Sequence, residues 1–142
     1  MKRFLRSVCF LMAVVTLLST TAFAAESGNA RASDYFMMTS TYIDRYEDDE
    51  LEIWFDVEAV DRMDVLGVRY IKLQRSTDRT NWTTVKTYDK ANYSQMTCTN
   101  TAAHADCVTY SGSSGYYYRA YVEFYAKVGN GTGVYSRYTA TV

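Results

Sequence analysis

Residues 51–60 read LEIWFDVEAV, and this stretch decides the fold class. Apolar residues occupy every second position from Leu51 to Ala59, while the positions between them carry Glu52, Trp54, Asp56 and Glu58. Consecutive side chains of a strand point to opposite faces of its sheet, whereas residues two apart on a helix point away from each other. The pattern therefore predicts a β-strand with one buried face.

The same period of two recurs along most of the remaining chain. Predicted strands cover residues 68–75, 82–88, 108–110, 116–128 and 134–142, and the longest of them reads YYYRAYVEFYAKV. Polar or glycine-rich turns separate these strands, and residues 129–133 form the last turn. About seven strands with little sign of a helix predict an all-β, antiparallel two-sheet sandwich. We expect one domain over residues 35–142, after a flexible leader at residues 25–34.

The first 24 residues have the features of a secretory signal peptide. A basic start (Lys2, Arg3 and Arg6) precedes the apolar run VCFLMAVVTLL at residues 8–18, and Ala22-Phe23-Ala24 supplies a small-residue cleavage site. The apolar run is short for a membrane span, although an uncleaved N-terminal anchor is the alternative. The sequence thus predicts export, a secreted or extracellular location, and no transmembrane segment after cleavage.

Charge is unevenly distributed along the chain. Removing residues 1–24 takes away three cations and no acid, which leaves 12 basic and 16 acidic residues and a net charge of −4. Ten of the acids lie between Asp44 and Asp64, while nine of the cations lie between Arg69 and Arg137. The overall negative charge argues against a nucleic-acid partner. The asymmetry could steer a cationic partner, although clustered charges commonly form a solvated face.

Two cysteines, Cys98 and Cys107, remain after signal cleavage. An even number in an exported chain predicts a structural disulfide between them. A zinc site is the competing interpretation, but only His104 and Asp106 lie nearby in the sequence and no C-x2-C pair is present. The chain contains no proline, so charges, bulges or covering loops must protect its sheet edges.

Few residues suggest catalysis or metal binding. His104 is the only histidine, and we expect it to be a solvated loop residue rather than a catalytic base. Asp48, Asp49 and Glu50 offer oxygen ligands for Ca²⁺, but their spacing is not that of an EF-hand and a charged turn is the simpler interpretation. We therefore predict no enzymatic activity, no cofactor and no metal.

The candidate binding surface is aromatic. If Phe124 faces the core, then Tyr117, Tyr121 and Tyr125 face outward on the longest strand. In a sandwich of this kind neighbouring strands would add further side chains, namely Tyr70, Lys72, Tyr135 and Arg137. Tyrosine and arginine are enriched at protein interfaces, and tyrosine rings also stack on sugars. The alternative is a cross-strand aromatic ladder that only stiffens the sheet.

Three stretches of the second half resemble a fibronectin type III or immunoglobulin-like module. They are residues 71–78 with Trp82, the segment from Tyr110 to residue 120, and residues 131–136. The resemblance implies that Tyr116 is a corner tyrosine whose hydroxyl bonds to the backbone near Tyr110. Because this family is mostly a scaffold for binding, the resemblance implies little about a specific activity. The predicted export and the outward tyrosines favour a secreted adhesion-type module that recognises an extracellular protein or glycan. The alternative is a secreted carbohydrate-binding accessory protein.

Overall fold

The structure, a computed structural model, describes residues 31–142. The predicted signal peptide and the leader up to residue 30 lie outside the described residues. Within them, a short 3-10 helix at Ala32–Asp34 leads into the first strand, and a second one at Ser94–Met96 precedes the fourth. The strands are β1 (Phe36–Arg45), β2 (Glu50–Ser76), β3 (Thr83–Asp89), β4 (Thr97–Ser111), β5 (Tyr117–Val128) and β6 (Gly131–Tyr138).

Strand β2 organises the whole molecule because all other strands except β6 pair with it. Its first half pairs with β1 on one side and β4 on the other, and its second half pairs with β5 and β3. Strand β6 pairs with β5, so every pairing is antiparallel and the six strands of the described range form one curled sheet. The all-β, antiparallel class is confirmed, whereas a seven-stranded sandwich of two sheets is not.

The length of β2 differs from the sequence expectation. Residues 51–60 and 68–75 were predicted as separate strands, but they belong to a single strand of 27 residues. The connection between them stays extended, and its register against β4 shifts between Glu58 and Met63. An irregularity of this kind bends a strand without ending it. The bend allows the two halves of the sheet to face each other.

The core lies between these two halves. The alternation that begins at Leu51 is confirmed, since the predicted inward side chains are buried and those between them are not. On β5, Tyr118, Val122 and Phe124 are fully buried, and Val122 lies opposite the buried Ile71 of β2. Complete burial of one such side chain contributes about 1.5–3 kcal/mol to folding.

The predicted disulfide is wrong. Cys98 and Cys107 are free thiols, and both lie on β4. They are nine residues apart on one extended strand, which corresponds to roughly 30 Å at the usual rise. A disulfide needs Cα atoms within about 7 Å, so this strand would have to fold back on itself. Burial raises the pKa of the Cys107 thiol, and Glu52 and Asp106 add to the effect.

The outer edge of β4 is protected by side chains of the protein itself. The Tyr88 hydroxyl donates to the carbonyl oxygen of Thr109 at 2.6 Å, and the Asp106 carboxylate accepts from the backbone N–H of Cys107 at 2.7 Å. The Thr101 hydroxyl bonds to both backbone groups of Ala103. An open strand edge would otherwise offer such groups to another chain. Capped backbone groups therefore do here what edge prolines do in other sheets.

The tyrosine that ties a turn to the core is Tyr118. Its hydroxyl accepts a hydrogen bond from the backbone N–H of Ser113 at 3.0 Å, and its ring is fully buried. Tyr116, for which the family resemblance implies this role, lies half-buried with the guanidinium of Arg75 4.5 Å from its ring centre. The tyrosine hydroxyl that bonds to the backbone of this turn therefore belongs to Tyr118 and not to Tyr116.

Candidate functional site

Five tyrosines lie on the outer surface of the β5–β6 half of the sheet, and we call this surface the tyrosine face. The register places Lys72, Tyr121 and Tyr138 side by side on three neighbouring strands. The Tyr121 and Tyr138 rings meet edge to face with their centres 5.2 Å apart. The members of the face are Tyr70, Tyr117, Tyr121, Tyr125 and Tyr138.

Four of the five predicted binding residues belong to this face. Tyr70 is 37% exposed, and Tyr117, Tyr121 and Tyr125 are half-buried. The expectation that the three β5 tyrosines lie on the side of the sheet opposite Phe124 agrees with the alternating burial along β5.

Tyr135, which was expected on the outer surface, lies on the inner side of the sheet. It pairs with Phe124, whose side chain points inward, and it lines a small groove together with Phe36 and Met38. Arg137 pairs with buried Val122 and donates a hydrogen bond to the carbonyl oxygen of Thr39 across the gap between β6 and β1. Both residues therefore help to close the curled sheet and contribute nothing to the tyrosine face.

The ring surfaces of the tyrosine face are covered by cations of the same chain. The Arg119 guanidinium lies 4.2 Å from the Trp82 ring centre and 4.5 Å from that of Tyr138, so it is held between two aromatic rings. Its Nε donates to the side-chain oxygen of Gln74 at 2.9 Å, which fixes its position. Each cation–π contact of this kind contributes about 0.5–1 kcal/mol at an exposed site.

A second cationic cluster lies at the β-bulge of β2. The register against β5 shifts between Val68 and Tyr70, which brings Arg69 onto the tyrosine face. Arg69 forms an ion pair with Glu123 at 2.6 Å and lies 5.2 Å from the Tyr70 ring centre. Lys90 covers the Tyr125 ring at 4.0 Å. The exposed charge on the face is therefore positive, although the rings below it are neutral.

A tight turn between β2 and β3 positions another cation of this face. The Asp78 carboxylate accepts hydrogen bonds from the Ser76 hydroxyl, from the backbone N–H groups of Thr80 and Asn81, and from the Asn81 side chain, all within 2.7–2.8 Å. Arg79 adopts a positive φ of 61° in this turn and lies 4.0 Å from the Tyr117 ring centre. The hydrogen bonds from Asn81 and the neighbouring groups hold the pKa of Asp78 well below its usual range.

The lowered pKa predicts how stability depends on pH. The folded state favours the Asp78 carboxylate, so its contribution is present above the ordinary aspartate pKa, near 4, and is lost as the pH falls toward the lower folded-state pKa. We expect Asp78→Asn to reduce the fall in the urea midpoint between pH 6 and pH 3, because asparagine does not titrate. An equal fall in the wild-type protein and in the variant would contradict this assignment.

The acidic residues lie on the other half of the same sheet. Glu52, Asp56 and Glu58 alternate along the outer face of the first half of β2, and Asp44 of β1 lies directly opposite Glu52. Within residues 31–142 the ion pairs are Arg45–Asp49 and Arg69–Glu123, so these four carboxylates have no cationic partner there. The uneven distribution of charge along the sequence thus places the carboxylates and the cations on two different surfaces of the folded protein.

The remaining candidate residues have structural surroundings. His104 is not a solvated loop residue: it lies on β4, its Nε2 is 2.8 Å from the carbonyl oxygen of Gln95, and its ring packs on Phe55. Asp48, Asp49 and Glu50 form the β1–β2 turn, where Asp49 bonds to Arg45 and adopts a positive φ. No group of three or more potential ligands in the described part of the chain is arranged to hold a metal ion.

Sequence reasoning missed the residues that cover the rings, and it missed Tyr138. Arg69 comes from a bulge, and Arg79 and Lys90 come from turns, whose geometry alternation does not reveal. Arg119 lies at an outward position of β5. The position of Tyr138 could have been inferred from a tight β5–β6 turn, since Val128 pairs with Gly131 and leaves only Gly129 and Asn130 between the strands. A turn over residues 129–133 places Tyr135 outward instead, because it shifts the register by three residues, and any odd shift moves every side chain to the other face.

Comparison of the chain with models of protein families, with curated proteins and with solved structures finds no match. Across residues 31–142, none of the helices has the length and apolar character needed to span a membrane.

Proposed function

We propose that this protein is a small secreted, non-enzymatic binding module that recognises an acidic extracellular macromolecule through its tyrosine face. The single observation that carries the proposal is the row of cations stacked on the outward tyrosines: Arg69, Arg79, Lys90 and Arg119 each cover at least one ring. Only Arg69 among them has a carboxylate partner within the described residues. Unpaired cations that lie over aromatic rings are suited to bind carboxylate or other anionic groups.

The arrangement also supports binding over a purely structural ladder. A ladder needs contacts between rings, but Tyr121 and Tyr138 are the only ring pair within contact distance on this face in the described part of the chain. The other rings of this face contact cations instead of other rings. These cations stay exposed to water unless a partner covers them, so they are available for binding. Stacking on the rings lowers the conformational freedom that each cation must lose on binding, which favours affinity.

Carbohydrate binding is the alternative function. Sugar rings stack on free aromatic faces, whereas the faces of Tyr117, Tyr125 and Tyr138 are already occupied by cations. An acidic polysaccharide remains compatible with the positive surface. The same experiment can therefore separate charge recognition from stacking on neutral sugars.

The test measures binding of the mature chain to poly-L-glutamate and to an array of neutral and acidic glycans. We expect the mature chain to bind poly-L-glutamate at low salt, and we expect this binding to weaken as the salt concentration increases. Lys72→Gln combined with Lys90→Gln should weaken it by roughly fivefold or more, because each exposed ion contact contributes up to about 1 kcal/mol. Tyr117→Ser, Tyr121→Ser and Tyr125→Ser together should remove the platform and the binding with it.

The matched control is Arg31→Gln combined with Arg62→Gln, which removes the same charge from exposed positions outside the tyrosine face. Equal weakening by both double variants would mean that only net charge matters, and it would contradict the assigned surface. Binding of neutral glycans that depends on the tyrosines but not on Lys72 and Lys90 would favour the carbohydrate-binding alternative.

The relation to fibronectin type III or immunoglobulin-like modules belongs to the same proposal. It is supported by the antiparallel strands, by the two facing halves with a core between them, and by the hydroxyl of Tyr118 tied to an upstream turn. Such modules present binding surfaces on a rigid sheet, and this is the role we assign to the tyrosine face.

A further inference from the structure

A groove with a volume of about 330 Å³ opens where the curled sheet does not close, between the edges of β3 and β4. It is separate from the tyrosine face, and the proposed function makes no use of it. The side chains that matter for its chemistry are Lys86, Tyr88, Tyr93, Gln95, Cys107 and Tyr110. Its volume lies at the lower end of the range of about 300–1,000 Å³ that is typical of small-molecule sites.

Two tyrosines form a fixed aromatic wall of the groove. The rings of Tyr88 and Tyr93 meet edge to face with their centres 4.9 Å apart. Tyr88 is only 3% exposed, and its hydroxyl donates a hydrogen bond to the carbonyl oxygen of Thr109, which connects β3 to β4. Burial raises the pKa of Tyr88 to about 12, so this hydroxyl stays protonated and keeps donating at neutral pH. The wall is therefore rigid and uncharged.

One cation stands over this wall. The Lys86 ammonium lies 5.4 Å from the Tyr88 ring centre and 5.8 Å from that of Tyr93, and the side chain is half-buried. None of the ion pairs in residues 31–142 involves it. A partly desolvated ammonium group gains from an anion more than an exposed one does, because the surrounding protein screens the attraction less than water.

We propose that the groove binds a small aromatic carboxylate, with the carboxylate at Lys86 and the ring against Tyr93. The cation supplies the charge contact, and Tyr93, which packs on the buried Tyr88 ring, supplies an edge or face for the ligand ring. The Gln95 amide at the rim can bond to a polar substituent of the ligand. This site is independent of the tyrosine face, so either assignment can fail without the other.

The test uses benzoate and its neutral counterpart benzyl alcohol as probes, with binding to the mature chain measured by NMR titration. We expect benzoate to bind at least about tenfold more tightly than benzyl alcohol, which corresponds to one charge contact of about 1.4 kcal/mol. Lys86→Met should abolish this difference. The matched control is Lys127→Met, which removes an exposed ammonium that neither lines the groove nor covers a ring of the tyrosine face, and it should leave benzoate binding unchanged.

A second measurement locates the site in the unmodified protein. Cys107 contributes to the groove, whereas Cys98 lies exposed at the far end of β4. Saturating benzoate should slow alkylation of Cys107 by iodoacetamide severalfold and leave Cys98 unaffected. Absence of benzoate binding, equal loss in both lysine variants, or equal protection of both thiols would overturn the proposal.

Discussion

Gly67→Ala is expected to destabilise the protein by about 3 kcal/mol or more, or to prevent folding altogether. Gly67 has a φ of +149° in the segment of β2 that pairs with β4 and β5 at the same time. A Cβ atom there would overlap the carbonyl oxygen of Met96 and would lie 2.8 Å from the Cα of Thr97. Both obstacles are backbone, which cannot move aside as a flexible side chain can. Urea unfolding followed by circular dichroism measures the loss.

The matched control for this variant is Gly115→Ala. Gly115 also has a positive φ, of +79°, but a Cβ atom there meets nothing within 4 Å. The control therefore carries only the backbone cost of about 1–2 kcal/mol, and the difference between the two variants isolates the steric overlap. Equal losses would mean that the close approach of β2 to the start of β4 is wrong.

Phe124→Ala should cost about 3–5 kcal/mol, the second large effect. Its side chain is fully buried and lies opposite Val68 in the interior of the curled sheet. Truncation removes the burial of the ring and leaves a cavity that the flanking strands cannot fill without breaking their register. The midpoint of urea unfolding should fall sharply while the denaturant dependence stays unchanged, since the folded state remains the same.

The neighbouring substitution Tyr125→Ala provides the comparison. Tyr125 is half-buried on the tyrosine face, so its loss removes cation–π contacts with Lys90 and Arg69 but opens no internal cavity. We expect a cost of about 1 kcal/mol. Similar losses for two adjacent residues of equal bulk would contradict the alternation on which the fold depends.

The two halves of the sheet divide the charge of the protein between them. The bend of β2 separates Glu52, Asp56 and Glu58 on one half from Lys72 and Arg69 on the other, although all five residues belong to one strand. Like charges on the same face repel each other, and this repulsion lowers the stability of the folded state. The folded chain therefore presents two surfaces of opposite charge.

Much of the candidate site could be predicted from the sequence, because outward positions on β5 follow from the burial of Phe124. The cations that cover Tyr117 and Tyr125 could not, because they arrive through the Asp78 turn, the bulge near Arg69 and the chain beyond β3. Turn and bulge geometry depends on hydrogen bonds between specific atoms, and alternation carries no information about them.

For Cys98 and Cys107, the sequence predicted a disulfide that the structure does not contain. Their even number and the expected export favoured a bond, yet the segment between them is a strand of alternating small and polar residues that pairs with β2. Composition alone does not distinguish such a strand from a polar loop. Its extended form becomes favourable only because β2 offers it a row of unpaired backbone groups.

The sequence by itself determined which side chains are buried along β5 and along the first half of β2, because the period of two is a local property that any pairing arrangement must respect. Only the tertiary structure decided that residues 50–76 form one bent strand, that Tyr138 rather than Tyr135 joins the outer face, and that the two cysteines stay apart. These outcomes depend on turn length and on pairing between residues distant in the chain, where one residue of register exchanges the inside and the outside of a sheet.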